Sequence, residues 1–320
     1  MYLKIFSSLL ASGLLMSTAA VAGENSYSPE VFSWEKDPVV EIRSHSEESL
    51  HVEYPTVFMV GSRKFMLYSA YGDDGRWRLK LAIAEEDNDF VGQGNIFDES
   101  SLPFRGGYAF PFVTVAESGE DAVYHLYFSA ADGKDGSRYS AIYHSSSRDG
   151  IKWDNPKKLL SDGALDPLVI DRGGKKFILY TTSEKNKNFI KMAELRAPDV
   201  AGKTRVLYSS PAGFYTLGNL TVRGKPMVVV ETSKDWVAMC FAPDGQLVKS
   251  SKKPLLRLSE GESSRWDGLR YGMFFTEASG ISEIFYNGIR GHGVESGGQI
   301  GAGTYDITAV AKTVNTGVCQ

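Results

Sequence analysis

Short runs of β-branched and aromatic residues, alternating with polar positions and broken by glycine-rich turns, recur along the chain and predict strands rather than helices. Three of these runs align on a proline: Glu53-Tyr54-Pro55-Thr56-Val57-Phe58, Ala109-Phe110-Pro111-Phe112-Val113 and Leu165-Asp166-Pro167-Leu168-Val169-Ile170. The prolines stand at 55, 111 and 167, a spacing of 56 residues both times. Two degenerate copies follow at shorter spacing, Leu217-Gly218-Asn219-Leu220-Thr221-Val222 and Leu269-Arg270-Tyr271-Gly272-Met273-Phe274. After each copy comes a second strand-like run: 65–71, 124–130, 177–182, 227–232 and 284–287. Past a further turn comes a third: 77–84, 139–145, 189–195, 236–241 and 299–305. In the second unit the chain continues into Ser147-Arg148-Asp149-Gly150-Ile151-Lys152-Trp153, where Asp-Gly predicts a turn and the tryptophan an outer strand.

Internal repeats of this kind decide the fold. Five meanders of three or four antiparallel strands, with no long helical pattern, predict an all-β, five-bladed β-propeller with blades starting near residues 53, 109, 165, 217 and 269. A β-sandwich would not carry a fixed 56-residue period. The apolar segment 31–42 is placed to add an outer strand to the last blade and close the ring. No linker or shift in composition divides residues 23–320, which read as a single domain.

Composition narrows the setting. Of 320 residues, 42% are hydrophobic, enough for a large core, and 35 Lys plus Arg against 39 Asp plus Glu leave a net charge of -4. That balance offers no electrostatic footprint for nucleic acid. Residues 1–22 read as a secretory signal: Lys4, an apolar run from Ile5 to Leu15, and small residues ending Ala20-Val21-Ala22. The run is shorter than the roughly 20 residues that span a bilayer, so the expectation is export to periplasm or surroundings without a membrane span. In an oxidising compartment the two cysteines, Cys240 and Cys319, read as a disulfide that pins the C-terminus. There is no phosphate loop, Gly-x-Ser-x-Gly elbow or His-Glu-x-x-His pair, and the five histidines lack zinc-ligand spacing, so no cofactor is expected.

The proline-led strands, the Gly turns after them and the Lys-Phe-Met-Leu-Tyr and Lys-Phe-Ile-Leu-Tyr runs resemble the five-bladed glycoside hydrolases. That superfamily includes arabinanases, β-xylosidases, invertases and levansucrases. The likeness is sharpest over 54–71, 147–153 and 165–180. It implies that the innermost strand of each blade lines an axial funnel and carries the catalytic carboxylates, and it is compatible with a structural calcium in the axial channel. Asp166 matches the Asp-Pro motif of the third blade, where the family's aspartate tunes the acid and orients the sugar. In the first blade the family has an aspartate before the proline as base or nucleophile, whereas this chain has Glu53-Tyr54-Pro55, with the carboxylate one residue earlier. Since side chains alternate across a strand, that offset can turn Glu53 away from the funnel. In the fourth blade the family's general-acid glutamate is replaced by the segment around Asn219.

Glycoside hydrolysis needs one group to protonate the leaving oxygen and another to activate water or attack the anomeric carbon. Glu53 and Asp166 are the expected pair. Glu231 leads the candidates for the absent acid, ahead of Glu262, Glu277 and His292. Aromatic side chains stack on the apolar faces of sugars, and Tyr54, Tyr108, Phe110, Tyr215 and Tyr271 all fall at the starts of innermost strands. Asn219 and Arg270 add polar groups at the same level. The expected partner is an oligo- or polysaccharide held by a monomer. The expected activity is its hydrolysis, and the alternative is a catalytically degenerate propeller that binds a glycan of the envelope or matrix.

Overall fold

The computed structural model describes residues 31–43, 46–104, 106–116, 121–132, 139–161, 163–184, 187–210, 216–232, 235–250, 253–257, 265–278, 281–290, 297–315, 317 and 319. Residues 1–22, the expected secretory signal, lie outside them. Five antiparallel sheets account for nearly all of the described structure.

The N-terminal strand β1 (Phe32–Trp34) precedes blade 1, which is built from β2 (His51–Val60), β3 (Arg63–Tyr71), β4 (Trp77–Ala84) and β5 (Phe90–Asn95). Blade 2 contains β6 (Tyr108–Ala116), β7 (Val123–Ala130), β8 (Ala141–Ser147) and β9 (Lys157–Leu160). Blade 3 contains β10 (Leu165–Arg172), β11 (Lys175–Glu184), β12 (Lys187–Ala197), the short β13 (Val200–Ala201) and β14 (Arg205–Ser210). Blade 4 contains β15 (Leu217–Val222), β16 (Lys225–Glu231), β17 (Asp235–Phe241), β18 (Leu247–Lys249) and β19 (Leu256–Arg257). Blade 5 contains β20 (Leu269–Ala278), β21 (Ile281–Ile289) and β22 (Gly298–Tyr305), and β1 pairs with β22 as its outer strand. The N-terminal segment thus closes the ring in the way its apolar pattern predicts.

The innermost strands touch one another in cyclic order: β2 with β6, β6 with β10, β10 with β15, β15 with β20, and β20 with β2 again. Each inner strand is an edge of its own sheet, and radial packing covers that edge with the neighbouring blades. The core lies between blades, because each sheet buries both faces. Phe58, Phe65 and Leu67 of blade 1, for example, pack with Tyr124, Leu126 and Phe128 of blade 2. Each such ring or branched side chain removed from water contributes about 1.5–3 kcal/mol. Trp153 departs from expectation: it lies in the turn after β8 and packs edge-on against Phe58 of blade 1, centroids 6.4 Å apart. The turn before it holds itself, since Asp149 Oδ1 accepts the N–H groups of Ile151 and Lys152 at 2.8 Å.

Past β22 the helix α1 (Ile307–Thr313) is capped by Asp306, whose carboxylate accepts the Thr308 N–H at 2.7 Å. Its Val310 is buried in the cluster that holds β15 to β17 and blade 5. Cys319, beyond the helix, is disulfide-bonded to Cys240 in β17, with the Cα atoms 5.4 Å apart. No helix among the described residues is long and apolar enough to cross a membrane.

Candidate functional site

The innermost strands share one irregularity, and it builds the centre of the molecule. In blades 1, 2, 3 and 5 the pairing with the second strand slips by one residue, between Glu53 and Thr56, Ala109 and Phe112, Leu165 and Leu168, and Tyr271 and Phe274. Each slip places one residue in the left-handed region: Tyr54 (φ 55°), Phe110 (φ 59°), Asp166 (φ 51°) and Gly272 (φ 61°). The first three precede a proline, which lacks an N–H and so releases the ladder at this point. A left-handed non-glycine residue costs on the order of 1–3 kcal/mol, so the surroundings must hold it there. Glycine is required in blade 5, where a Cβ on Gly272 would lie 2.0 Å from Asn287 Nδ2.

The restraint comes from the preceding blade. Tyr54 N–H donates to Asn287 Oδ1 at 2.6 Å, Phe110 N–H to Ser69 Oγ at 2.9 Å, Asp166 N–H to Ser129 Oγ at 3.1 Å, and Gly272 N–H to Glu231 Oε2 at 2.6 Å. Ser69, Ser129 and Asn287 each sit in a second strand opposite the residue before the slip of their own blade, and Glu231 ends the second strand of blade 4 with its N–H bonded to Thr216 O. β15 has unbroken register and no left-handed residue. The corresponding blade 3 side chain, Thr181, therefore turns inward and donates to Asp166 Oδ2 at 3.2 Å. Of these acceptors Glu231 alone was singled out from the sequence; Ser69, Ser129 and Asn287 were not, although the Tyr68-Ser69, Phe128-Ser129, Tyr180-Thr181 and Tyr286-Asn287 pairs mark the level of the second strands at which they stand.

Two carboxyls of this layer are pushed upward. Burial raises Asp166 to about 7, against the smaller opposing effect of the Thr181 hydroxyl, even though its side chain borders an opening. Burial also raises Glu231 to about 8, outweighing the bonds it accepts from the Gly272 N–H and, at 3.1 Å, the Thr216 hydroxyl; the nearby Asp166 and Glu53 charges add to the rise. Glu53 stands elsewhere. It precedes the slip and is buried beneath Gly298, where an added Cβ would lie 2.1 Å from its Oε1. Tyr271 Oη donates to Glu53 Oε1 at 2.5 Å, and His51 Nδ1 lies 2.8 Å from the same oxygen. Burial is the largest influence on His51 and works against its charged form, but its bond to Glu53 and the charge of that carboxylate together outweigh it and raise the imidazole above its ordinary value.

Tyr54, Phe110 and Asp166, with Thr216, Leu217 and Met273, line a cavity of about 40 Å³ on the axis. Tyr54 packs edge-on against Phe110 (centroids 4.5 Å) and Tyr271 (6.2 Å). The other expected contacts divide. Tyr108 is not at the funnel: it is fully buried among Phe97, Phe104 and Phe128 between blades 1 and 2, because its side chain alternates to the blade face. Arg270 is likewise turned away, its guanidinium bonded to Asp267 at 2.9 Å and lying 4.5 Å over the Trp34 ring. Asn219 lies in β15 with its Oδ1 buried and without a partner among the described residues. Glu277 is exposed near the outer hairpin end of β20 and accepts from Tyr305 Oη at 3.5 Å. Tyr215, Glu262 and His292 lie outside the described residues. Among the described residues no three His, Cys, Asp or Glu side chains come together to hold a metal, so no carboxylate cage marks an axial calcium there.

No protein-family model and no curated protein matches the sequence. Solved structures do match in shape. An α-L-arabinofuranosidase from Podospora anserina, solved with cellotriose, superposes with a TM-score of 0.65 at 11% identity, over 86% of this chain and 97% of that one. The catalytic domain of a GH62 α-L-arabinofuranosidase from Coprinopsis cinerea gives 0.63 at 13% identity, over 87% and 98%. A GH43 β-xylosidase/α-arabinofuranosidase from a compost microbial metagenome, solved with xylotriose, gives 0.60 at 13% identity, over 85% and 94%. At these identities the likeness is one of architecture, and the chain has the five-bladed propeller fold of these glycoside hydrolases.

Proposed function

We propose that this protein is an exported, monomeric propeller that binds a glycan at the mouth of its axial funnel without hydrolysing it. The observation that carries this reading is Tyr54: it occupies in blade 1 the left-handed, pre-proline seat that Asp166 occupies in blade 3. Hydrolysis needs two carboxyls flanking the scissile bond, about 5–9.5 Å apart. Of the four left-handed seats, Asp166 alone supplies one. Glu53 is turned into the contact between blades 1 and 5. The cavity beside Asp166, about 40 Å³, is far smaller than the several hundred Å³ of a usual ligand pocket. What the axis offers a sugar is an aromatic surface, Tyr54 and Phe110, with a carboxyl at its edge, which suits recognition of a C–H face and a hydroxyl. The signal pattern and the Cys240–Cys319 bridge support export.

One observation favours a second reading, hydrolysis with Glu231 as proton donor and Asp166 as base. Glu231 is raised to about 8 and Asp166 to about 7, so near neutrality one holds a proton while the other can lose it. Incubating the protein with xylo-, cello- and arabino-oligosaccharides separates the two. Binding without new reducing ends supports the first reading. Cleavage that disappears in Glu231→Gln supports the second.

A further inference from the structure

We infer that blade 1 carries a second sugar subsite at the rim of the funnel, formed by Trp77, Tyr71 and His51, with Glu53 and Tyr271 as the residues that position His51. The inference rests on the glycan reading and extends it outward from the axis.

The three side chains form one cross-strand row. His51 pairs with Tyr71 across β2 and β3, and Tyr71 pairs with Trp77 across β3 and β4. Directly opposed residues project from the same face of a sheet, so the row runs radially from the axis outward, two residues beyond the Glu53–Ser69 pair. The His51 and Trp77 rings are stacked, 30° apart in plane with centroids at 5.9 Å, and Tyr71 lies 5.0 Å from Trp77. All three residues are half-buried.

No other blade with described residues at this level repeats the row. The matching positions are Gly107 and Ala131 in blade 2, Gly163 and Ser183 in blade 3, and Leu269, Ile289 and Gly298 in blade 5. Gly107 is itself an accommodation, because a Cβ there would lie 3.0 Å from the Trp77 backbone nitrogen. Contacts between blades would be expected to recur around the ring. An aromatic row confined to one blade, at the open end of the strands, is instead what a directional ligand needs.

The polar half of the subsite is held from behind. Glu53, buried and bonded by Tyr271 Oη, lies 2.8 Å from His51 Nδ1, and the Gly298 N–H points at the same nitrogen from 3.0 Å. Contacts on Nδ1 from two sides fix the ring's orientation and leave the other nitrogen for a ligand. Glu53 thereby acts through His51 rather than on the sugar. Tyr271 joins the rim to the axis, since its ring is 6.2 Å from that of Tyr54. A glycan chain with one ring over Tyr54 and Phe110 would rest a later ring on Trp77 and hydrogen-bond a hydroxyl to His51.

The test titrates ladders of xylo-, cello- and arabino-oligosaccharides, dimer to hexamer, into the wild type, Trp77→Ala, Trp77→Phe and Glu53→Gln, with His51 followed by NMR. In the wild type affinity should rise with length. Trp77→Ala should lose about tenfold for the longest oligomer and little for the dimer, and Trp77→Phe should restore most of the loss. Glu53→Gln should lower the His51 pKa and weaken the long oligomers alone. Binding that is insensitive to Trp77, or a loss equal at every length, overturns the subsite and leaves the axial reading standing. Absence of binding to every ladder overturns both.

Discussion

Tyr54 and Asp166 occupy one structural seat in two blades that do not adjoin. Each precedes a proline, each is left-handed, at φ 55° and 51°, and each donates its N–H to the blade behind it, to Asn287 and Ser129 respectively. The ring therefore presents a phenol where a second carboxylate would complete a hydrolytic pair. Replacing it, Tyr54→Asp, should raise product formation from aryl glycosides at least about a hundredfold above the wild-type level, the size of effect expected of one acid–base group at its low end. An unchanged rate in a folded variant would contradict the role assigned to a carboxylate in that seat.

Asn287 holds the left-handed Tyr54 in place with a 2.6 Å bond to its N–H. Asn287→Ala leaves that buried N–H without its acceptor, at a cost of about 1–3 kcal/mol. The expected result is a clear fall in denaturation midpoint. Ser69→Ala, which unpairs Phe110 in the same way, should show a similar loss, and Glu277→Ala at the exposed hairpin should be near neutral.

Much of this was legible in the sequence and some was not. The prolines at 55, 111 and 167 marked the inner strands, and the third run of blade 1, 77–84, coincides with β4. The sequence carries that information because strands buried on both faces read as short apolar, β-branched and aromatic runs between turn residues. The slip after Glu53 was not legible, since a bulge breaks the alternation without leaving a glycine in blades 1 to 3. It makes Tyr54, not Glu53, the residue that faces the axis. Tyr108 and Arg270 were aimed at the funnel because they lie near strand starts, but the face of the strand, not its end, decides their partners. Glu231 stood out as a carboxylate, while its bond to Gly272 joins residues 41 apart in different blades.

Acidity gives a further check. Burial lifts Glu231 from an ordinary 4.5 to about 8. Below pH 4.5 folded and unfolded states both hold the proton, so this group adds no pH dependence. Between 4.5 and about 8 only the folded state holds it, and stability falls as pH rises, levelling off above 8. Asp166, raised from 3.8 to about 7, acts in the same direction. Glu231→Gln should remove its part of the slope, on the order of 5 kcal/mol across the window. Denaturant midpoints at pH 5 and pH 9 measure this, and a slope as steep in the variant as in the wild type would show that Glu231 is not held protonated.

The Cys240–Cys319 bridge closes a loop with a sequence separation of 79 and holds the C-terminal segment beyond α1 against blade 4. The loss-of-loop-entropy account gives about 4 kcal/mol for a loop of this size. Reduction, or the paired change of both cysteines to Ser, should lower the melting temperature by several degrees and expose the α1 amides to hydrogen exchange first.

The central claim is that the axial funnel binds a glycan and leaves its bonds intact. Its most direct test is calorimetric titration of the oligosaccharide ladders, with the same samples then analysed by mass spectrometry, for wild type beside Asp166→Asn. The account predicts saturable binding, weakened about tenfold in Asp166→Asn with no fall in melting temperature, and oligomers recovered at their starting length. Shortened oligomers from the wild type, absent with Asp166→Asn, would contradict it and make this propeller a glycosidase.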